Sequence, residues 1–523
     1  MKLLSTLSSL ALVATFAATA DTLARPALAQ DNNPYPLTAD SKPQPDVPKG
    51  EVIHFRFTSP KVFPGAIRNV EVYVPAQYKP ENAATTCLYV NQDGQQWHAS
   101  TVFDNLIAKK DIPVTIGVFV TPGEVQAKDG KTALTRYNRS YEYDGLGPDY
   151  VNFLLTELLP AVETKKTTDG RAVHFSHNGN DHAIGGSSSG GVAAFTAAWE
   201  RPDQFPRVFT VVGTYVGLRG ADDYSTLVRK YEPKPLRLYL NDGSNDQNIY
   251  AGDWWMANQM MERALVFGGY EVTHEWGTLG HDGRQGDMLF PDVMRYLWKD
   301  WPAPVKAGHS RNDMMNQILV DGETWQPAAN PPGGDSPNAA ISALANGRFT
   351  VEQTGKRGEE HGRISFQPNG GKRKTIGEGD QHVAASVTLS TDQTQLYVTD
   401  SATRWIWAYQ VQPDGSLMYG QKYYWLHCDD NADGSGAGGM TVDRDGRLYV
   451  ATALGIQVCD QAGRVNVILP LPLGERPSAL RWAGPDNTIL YAFCTDGKAF
   501  QRTLKAKGVN PGDSASKPAP PRL

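Results

Sequence analysis

The chain has 523 residues, a formal net charge of −6 and 40% hydrophobic residues. This length is enough for two or three domains, each able to bury a sizeable core. No basic stretch supports nucleic-acid binding, and no segment after the first thirty residues is apolar enough to span a bilayer. We therefore expect neither a nucleic-acid partner nor a membrane span.

The N-terminus has the pattern of an export signal. Lys2 precedes a mostly apolar run over residues 3–20, and Ala27 and Ala29 supply the small residues of a cleavage site. The pattern predicts a signal peptide over residues 1–29. The mature protein is then expected to be exported, either to the periplasm or to the medium.

Strand and helix signals alternate over residues 51–302, behind a lead-in over residues 30–50. The lead-in is rich in proline, aspartate and asparagine, which predicts disorder. The alternation that follows is typical of a mostly parallel sheet covered by helices, so we expect an α/β-hydrolase type of domain. The predicted strands are 52–57, 69–74, 86–91, 114–120, 182–184, 208–212, 235–240 and 271–276. The predicted helices are 152–159, 192–200, 253–267 and 291–301.

One segment of this domain has the pattern of a nucleophile. Residues 186–190 fit G-x-S-x-G, with Ser188 in the central place. In such a turn the serine hydroxyl is held out at the carboxyl end of the sheet, and the glycines let neighbouring backbone pass close. A flexible glycine–serine linker has the same composition. Linkers are not usually followed at once by an apolar helix, however, so the segment predicts a nucleophilic serine.

Two later loops offer the partners that this serine needs. A serine hydroxyl is a weak nucleophile at neutral pH and requires a base. His281 follows the last predicted strand, and Asp242 and Asp246 follow the strand before it. We choose Asp246, because Asp242 looks like part of the turn itself. The predicted triad is therefore Ser188, Asp246 and His281, in the chain order of α/β-hydrolases. Taken alone, His281 would be interpreted as a surface residue of a glycine-rich turn.

Ester hydrolysis through a serine also requires backbone N–H donors for the oxyanion. One donor is expected to be Ser189, the residue after the nucleophile. The other is expected from the loop at Gly94 and Gln95, where glycine lets the backbone approach a substrate.

Five segments together resemble the enterochelin-esterase and esterase-D group of α/β-hydrolases, which is related to feruloyl and acetyl-xylan esterases. These segments are DGQQW (93–97), NRSYEY (138–143), the serine turn (185–191), DGSND (242–246) and GH (280–281). The resemblance covers about residues 50–302. It implies hydrolysis of a small-molecule or carbohydrate-linked ester, such as a siderophore, feruloyl or sugar ester, without a metal or cofactor.

The same resemblance draws attention to three side chains beside the predicted site. Arg139 and Glu142 match an Arg-x-x-Glu pattern of the group, and Trp97 closes the first of the shared segments. All three are candidates for contact with the substrate. For Arg139 and Glu142, a structural ion pair under the loop is the alternative interpretation.

The pattern changes behind residue 302. Residues 303–337 contain Pro-Pro-Gly-Gly and many small polar residues, which predicts a linker. Short strand signals then recur over residues 338–508, including Leu-Tyr pairs that begin at residues 396, 448 and 490. A β-rich repeat of this period predicts propeller blades, with a β-sandwich as the alternative. Residues 509–523 are predicted to be a disordered tail.

This second region is similar to the gluconolactonase and regucalcin propellers, most clearly over residues 389–508. The segments MTVD (440–443) and GRLYV (446–450) carry the likeness. Those lactonases bind a divalent metal through a Glu, an Asn and an Asp. Gly438 stands where the Asp would fall, Ala385 stands where the Asn would fall, and the Glu has no match. We therefore expect a divergent or incomplete propeller without the lactonase metal site.

The cysteines do not form a metal-binding pattern. Cys87, Cys428, Cys459 and Cys494 lack the spacing that metal ligands show. Cys87 is expected to be a small core residue. A disulfide among the other three is left open by the sequence.

The sequence as a whole predicts an exported serine carboxylic-ester hydrolase that carries a propeller behind its catalytic domain. Two other functions are compatible with it. The first is a metal-dependent sugar lactonase that acts through the propeller, and the second is a binding protein with an inert hydrolase domain.

Overall fold

The computed structural model describes residues 34–332, 341–354, 361–377, 384–429, 432–510 and 512–521. The predicted signal peptide, the lead-in up to residue 33 and residues 333–337 of the predicted linker lie outside these ranges. Within the described part of the chain, none of the helices is both long and apolar enough to cross a bilayer.

A ten-stranded mixed sheet forms the centre of the N-terminal domain. Its strands are β1 (Glu51–Thr58), β2 (Ile67–Val74), β3 (Cys87–Gln92), β4 (Thr115–Val120), β5 (Glu124–Val125), β6 (Arg136–Tyr137), β7 (His182–Ser187), β8 (Arg207–Val211), β9 (Arg237–Gly243) and β12 (Glu271–Gly277). Strands β10 (Asn248–Ile249) and β11 (Gly252–Asp253) form a separate hairpin. The order is β12-β9-β8-β7-β3-β4-β2-β5-β6, with β1 paired to β2. Neighbours from β12 to β4 run parallel, and the other pairings are antiparallel.

Helices cover both faces of this sheet. They are α1 (Ala99–Lys109), α2 (Arg139–Tyr143), α3 (Asp149–Phe153), which continues through a π-helical turn (Leu154–Leu158) into α4 (Leu159–Val162), α5 (Ser189–Glu200), α6 (Tyr224–Lys230), α7 (Trp254–Gly268) and α8 (Arg284–Trp298). A further helix, α9 (Asp313–Ile318), packs in the core of the C-terminal region instead. Helices α3, α5 and α7 contribute to the core on one face, and α1 and α8 to the core on the other. The predicted mostly parallel sheet with flanking helices is confirmed.

Helix α8 begins earlier than predicted. The prediction started it near Pro291, because proline is favoured in the first turn of a helix. In the structure the helix begins at Arg284 and contains Pro291 in its interior, where proline removes a backbone hydrogen bond. The buried side chains of Leu289, Phe290 and Val293 pack in the core of this face, and that burial offsets the cost of the proline.

Helix α1 was not predicted at all. Its sequence, ASTVFDNLIAK, contains serine, threonine, aspartate and asparagine, whose side chains compete with helical hydrogen bonds. Val102, Phe103 and Leu106 are nevertheless completely buried against the sheet. Tertiary burial therefore decides the conformation of this segment, and local propensity does not.

The described part of the predicted disordered lead-in packs on the domain. Asn105 Nδ2 donates hydrogen bonds to the carbonyl oxygens of Asp40 (2.8 Å) and Lys42 (2.9 Å). The Arg295 guanidinium pairs with the Asp40 carboxylate at 2.6 Å. The prediction of disorder is wrong for this stretch, because composition does not reveal that α1 and α8 supply its hydrogen-bonding partners.

In the part of the C-terminal region that the structure describes, four four-stranded antiparallel sheets are arranged as an incomplete propeller. The first sheet contains β14 (Ile341–Leu344), β15 (Gly347–Thr354), β16 (His361–Pro368) and β17 (Lys374–Gly377), and the second contains β18 (Ala384–Leu389), β19 (Gln395–Asp400), β20 (Trp405–Val411) and β21 (Leu417–Trp425). The third contains β22 (Met440–Val442), β23 (Leu448–Thr452), β24 (Gly455–Cys459) and β25 (Val465–Leu469), and the fourth contains β26 (Pro477–Ala483), β27 (Ile489–Cys494), β28 (Ala499–Thr503) and β13 (Gln326–Pro327). The predicted propeller is confirmed.

Both ends of the propeller region differ from their predictions. Strand β13 comes from the segment predicted as a linker, and it pairs with β28 as an edge of the last sheet. The predicted disordered tail makes backbone hydrogen bonds to the blades, from Val509 N–H to Val442 O (3.1 Å) and from Ser516 N–H to Thr391 O (2.8 Å). Edge pairing of this kind needs only backbone groups, so side-chain composition does not predict it.

The two domains share buried surface. Tyr231, at the end of α6, bridges to Ile468 of β25, and both side chains belong to one core cluster. The Arg502 guanidinium of the last blade binds both carboxylate oxygens of Glu232, at 2.7 and 2.8 Å. Lys230 Nζ lies 2.8 Å from His427 Nε2. The N-terminal domain and the propeller therefore stabilise one another.

We expect Tyr231→Ala to lower the free energy of unfolding by about 3–5 kcal/mol, the range for removing a buried aromatic side chain. Its ring lies 4.9 Å from that of Trp199, and its backbone pairs with the propeller. Tyr250→Ala is the control, since Tyr250 is 92% exposed and its loss should change stability by less than about 0.5 kcal/mol. Urea denaturation measures both. Equal effects of the two substitutions would contradict a shared core.

Candidate active site

Ser188 lies on a sharp turn between β7 and α5. Its backbone has φ 59° and ψ −124°, a conformation that few non-glycine residues adopt. A Cβ added to Gly186 would collide with the carbonyl group of Gly190, so this position requires glycine. The Ser188 N–H donates to Val211 O at 2.8 Å, which fixes the turn to the neighbouring strand β8. The local sequence therefore determines where the hydroxyl lies.

Three side chains from three loops form a continuous chain of hydrogen bonds. His281 Nε2 lies 2.8 Å from Ser188 Oγ, and His281 Nδ1 lies 2.8 Å from Asp246 Oδ1. The Asp246 side chain is fully buried, whereas that of His281 is 22% exposed. The structure thus brings the three residues of the predicted triad together, with the serine at the solvent side and the carboxylate inside.

The Asp246 carboxylate is held in its ionised form. Burial acts to raise its pKa, but hydrogen bonds with His281, Asp242 and the Gln247 amide lower it, and the net pKa lies below the usual range. The Gln247 N–H donates to the same Oδ1 atom at 2.6 Å. A buried anion next to Nδ1 favours the imidazole tautomer that leaves Nε2 free to accept a proton from the serine.

Two further residues of the site were missed in the sequence. Thr214 Oγ1 lies 3.1 Å from Ser188 Oγ and accepts a hydrogen bond from Trp254 Nε1 at 3.2 Å. The Trp254 ring also packs edge-on against His281, with centroids 5.8 Å apart. Neither residue belongs to a motif, and only the approach of the loop after β8 to the start of α7 makes them neighbours of the serine.

The predicted oxyanion donors divide into two groups. The Ser189 N–H is the first amide of α5, where amides have no partner within the helix and the helix dipole favours negative charge. The prediction that Gly94 is an oxyanion donor is wrong, because its N–H already donates to Val120 O at 3.1 Å. This bond continues the pairing next to β4 and leaves the Gln95 amide as the candidate donor of that loop.

Trp97 does not line the site, contrary to the prediction. It is 4% exposed, and its ring packs against Phe209 (4.7 Å between centroids) and Phe290 (5.3 Å). Its backbone has φ 56°, and the side chain lies in the core between the sheet and α8. The sequence around it is polar, so it gives no sign of this burial.

Arg139 and Glu142 have separate partners and do not pair with each other. Arg139 binds both oxygens of Asp93, at 2.7 and 2.9 Å, and its side chain remains 39% exposed beside the turn that carries the serine. Glu142 binds Arg68 through two hydrogen bonds of 2.9 and 3.1 Å, and both side chains are fully buried. Arg139 can therefore reach a substrate, whereas Glu142 is structural.

The described residues contain one cluster with the atoms of a metal site, formed by Glu475, Cys494 and Asp496 in the last blade. Lys498 Nζ already binds Glu475 at 2.6 Å and Asp496 at 2.8 Å, so an ammonium group neutralises the two acids. Gly438 lies two residues before β22, and Ala385 lies in β18, with its side chain outside the described part of the structure.

The disulfide that the sequence left open is not formed. No disulfide joins Cys428, Cys459 and Cys494; the Cys428 Sγ atom accepts a hydrogen bond from Arg404 at 3.0 Å, and the buried Cys87 is a free thiol. Burial raises the pKa of the Cys87 and Cys459 thiols well above their usual value. These two cysteines are therefore neutral packing residues in the core.

Two family models match separate parts of the chain. Residues 64–263 match the family model described as "Putative esterase". Residues 321–494 match the model described as "SMP-30/Gluconolactonase/LRE-like region". Both resemblances that the sequence motifs indicated are confirmed.

Solved structures that match parts of the chain include two esterases and a calcium-binding protein. The enterobactin esterase of Shigella flexneri is 19% identical with a TM-score of 0.37, and the alignment covers 49% of this chain and 62% of that one, less than two thirds of its length. A ferulic acid esterase is 17% identical with a TM-score of 0.36, covering 48% of this chain and 98% of that one. The calcium-binding protein regucalcin of Agrobacterium tumefaciens is 17% identical with a TM-score of 0.29, and the alignment covers 34% of this chain and 63% of that one. A search of curated proteins found no match.

We expect Glu142→Ala to destabilise the protein by about 3–5 kcal/mol, because it leaves the Arg68 guanidinium buried without its partner. Asp203→Ala is the matched control. It breaks the partly exposed pair with Arg201 and should cost less than about 1 kcal/mol. Urea denaturation gives both values. A raised KM with normal stability in Glu142→Ala would instead indicate that this residue contacts the substrate.

Proposed function

We propose that the protein is an exported serine carboxylic-ester hydrolase that uses Ser188, His281 and Asp246. The observation that carries the proposal is the pair of 2.8 Å hydrogen bonds that link these three side chains within a domain of the esterase family. Export rests on the signal-peptide pattern of residues 1–29.

The geometry supports a two-step reaction. Ser188 Oγ attacks the ester carbonyl carbon while His281 Nε2 takes its proton, and His281 then protonates the departing alcohol. The amides of Ser189 and Gln95 donate to the oxyanion of the tetrahedral intermediate. Water, deprotonated by His281, attacks the acyl-serine and releases the acid. Asp246 holds the imidazole and stabilises its charged form. The reaction requires no metal or cofactor.

The substrate is a small-molecule or carbohydrate-linked ester, and siderophore, feruloyl and sugar esters are the classes to test first. The esterase-family domain supports the general class. The exposed Arg139 beside the serine turn offers a guanidinium group that can bind a polar or anionic part of such a substrate.

A sugar lactonase that acts through the propeller is the second candidate, because residues 321–494 match the gluconolactonase-like family model. The lactonases of that family use a divalent metal, and Gly438 and Ala385 offer no ligand side chain where theirs fall. The third candidate, a binding protein with an inert hydrolase domain, requires that Ser188 does not react with activated esters.

Ser188→Ala should abolish ester turnover and leave stability unchanged, because it removes one partly exposed hydroxyl and little packed volume. Since triad residues act as a unit, His281→Ala should lower ester turnover nearly as much, and the double variant should lower it little further. Hydrolysis of a small activated ester and labelling by a fluorophosphonate measure both. Substantial turnover in Ser188→Ala, with labelling at another residue, would refute the assignment.

Chelation separates the esterase from the lactonase. The proposed triad contains no metal, so treatment with EDTA should leave hydrolysis of an activated ester within about twofold of the untreated rate. Sugar lactone hydrolysis above the spontaneous rate is not expected with or without added calcium. Lactone hydrolysis that EDTA removes and calcium restores would assign an activity to the propeller.

A further inference from the structure

A second carboxyl group lies directly behind the proposed triad. Asp242 is at the end of β9 and has no exposed surface. Its Oδ1 atom accepts the Gly243 N–H at 2.7 Å. Its Oδ2 atom is buried, and no N–H or O–H group of the described residues donates to it. A buried oxygen without a donor is costly, which makes this atom unusual.

Two neighbours of Asp242 also have buried oxygens that lack a hydrogen-bond donor. Asp246 and Asn258 are within hydrogen-bonding reach of its carboxyl group. Asp246 Oδ2 and Asn258 Oδ1 are also buried acceptors without a donor. Asn258 cannot supply one, because its Nδ2 group already donates to Gly213 O (2.8 Å) and Trp254 O (3.0 Å). Asp242 and these two neighbours therefore each have a buried oxygen without a donor, and none of the three side chains has a hydrogen to share if both aspartates are ionised.

One proton resolves this conflict, and the surroundings determine where it resides. Burial, followed by the neighbouring Asp246, raises the pKa of Asp242 far above the usual carboxyl range. Asp246 differs, because His281 and the Gln247 amide stabilise its ionised form. The groups that face Asp242 are thus the Gly243 amide, Asn258 and Asp246, with His281 beyond. None of these four carries a fixed positive charge.

We propose that Asp242 is a protonated carboxylic acid in the native protein and that its O–H donates to Asp246, holding this carboxylate in position for His281. Asp246 then accepts from His281 and Gln247 on Oδ1 and from Asp242 on Oδ2, so that both of its oxygens are satisfied. Asp242 is a positioning residue that acts through Asp246.

The proton also sets the charge next to the imidazole. With Asp242 neutral, His281 faces one negative charge. With both aspartates ionised, it would face two, which would stabilise the imidazolium and leave less neutral imidazole to accept the proton of Ser188 at neutral pH. This consequence for catalysis rests on the proposed function, whereas the protonation of Asp242 does not.

Stability as a function of pH tests the protonation without any measurement of turnover. An unfolded aspartate ionises near pH 4, whereas Asp242 stays neutral in the folded protein. The folded state therefore binds more protons than the unfolded state, and stability is lost as the pH rises above that range. The asparagine side chain of Asp242→Asn does not titrate, so the stability of this variant lacks this dependence on pH. Between pH 5 and 8 its unfolding equilibrium constant should fall relative to that of the unsubstituted protein, by up to about tenfold per pH unit.

Urea denaturation of the full chain at pH 5, 6, 7 and 8 measures this trend. Asp292→Asn is the matched control, since its side chain is 71% exposed and its removal should produce no such trend. Asp242→Ser supplies a second neutral donor if the asparagine variant does not fold. A stability difference that is constant or reversed over this range would show that Asp242 is ionised and would overturn the proposal.

The pH profile of kcat/KM on an activated ester tests the positioning role. Asp242→Asn keeps an N–H donor and adds no charge, so the acid limb of the profile should stay in place. Asp242→Ala removes the donor and should lower kcat/KM by about 10- to 100-fold. Losses of this size occur when the hydrogen-bonding partner of a metal-bound histidine is substituted. An acid limb displaced to lower pH by about one unit in Asp242→Asn would reveal a lost negative charge and refute the proposal. If Ser188→Ala keeps its turnover, the proposed function fails, but the stability trend still reports the proton on Asp242.

Discussion

The hydrogen bond between Ser188 Oγ and His281 Nε2 depends on three strands that end at one edge of the sheet. Strands β7, β9 and β12 run parallel, and the serine, the acid and the histidine follow their carboxyl ends. The loops after parallel strands meet at that edge. The fold itself therefore brings together residues that are 93 positions apart in the chain.

The rigidity of this edge comes from groups that do not take part in the chemistry. The strained turn at Ser188 is tied to β8, and the Asp246 carboxylate lies in a fully buried site. Arg68 and Glu142 form a buried pair beneath a neighbouring loop. Such supports hold reactive atoms in place, which a hydrogen-bonded nucleophile requires. Shared packing around Tyr231 extends this support to the propeller.

Residues whose position follows from local backbone rules could be located in the sequence. The glycines of the serine turn and the alternation of strands and helices were sufficient to place Ser188 and to order the candidate acid and base behind it. Trp97 and Gly94 were not assigned correctly, and Glu142 was left open between substrate contact and a structural ion pair, because the roles of all three depend on partners distant in sequence. These partners are Phe209 and Phe290 for Trp97, Val120 for Gly94 and Arg68 for Glu142.

The sequence by itself determined the α/β-hydrolase type of fold, the position of the serine turn and the propeller behind it. Periodicity and turn residues act locally, and each of these features can be recognised from them. Only the tertiary structure decided that Thr214 and Trp254 adjoin the serine, that the lead-in and the tail pack on the domains, and that Asp242 lies against Asp246. Side-chain burial and long-range hydrogen bonds decide these features, and both exist only after the chain has folded.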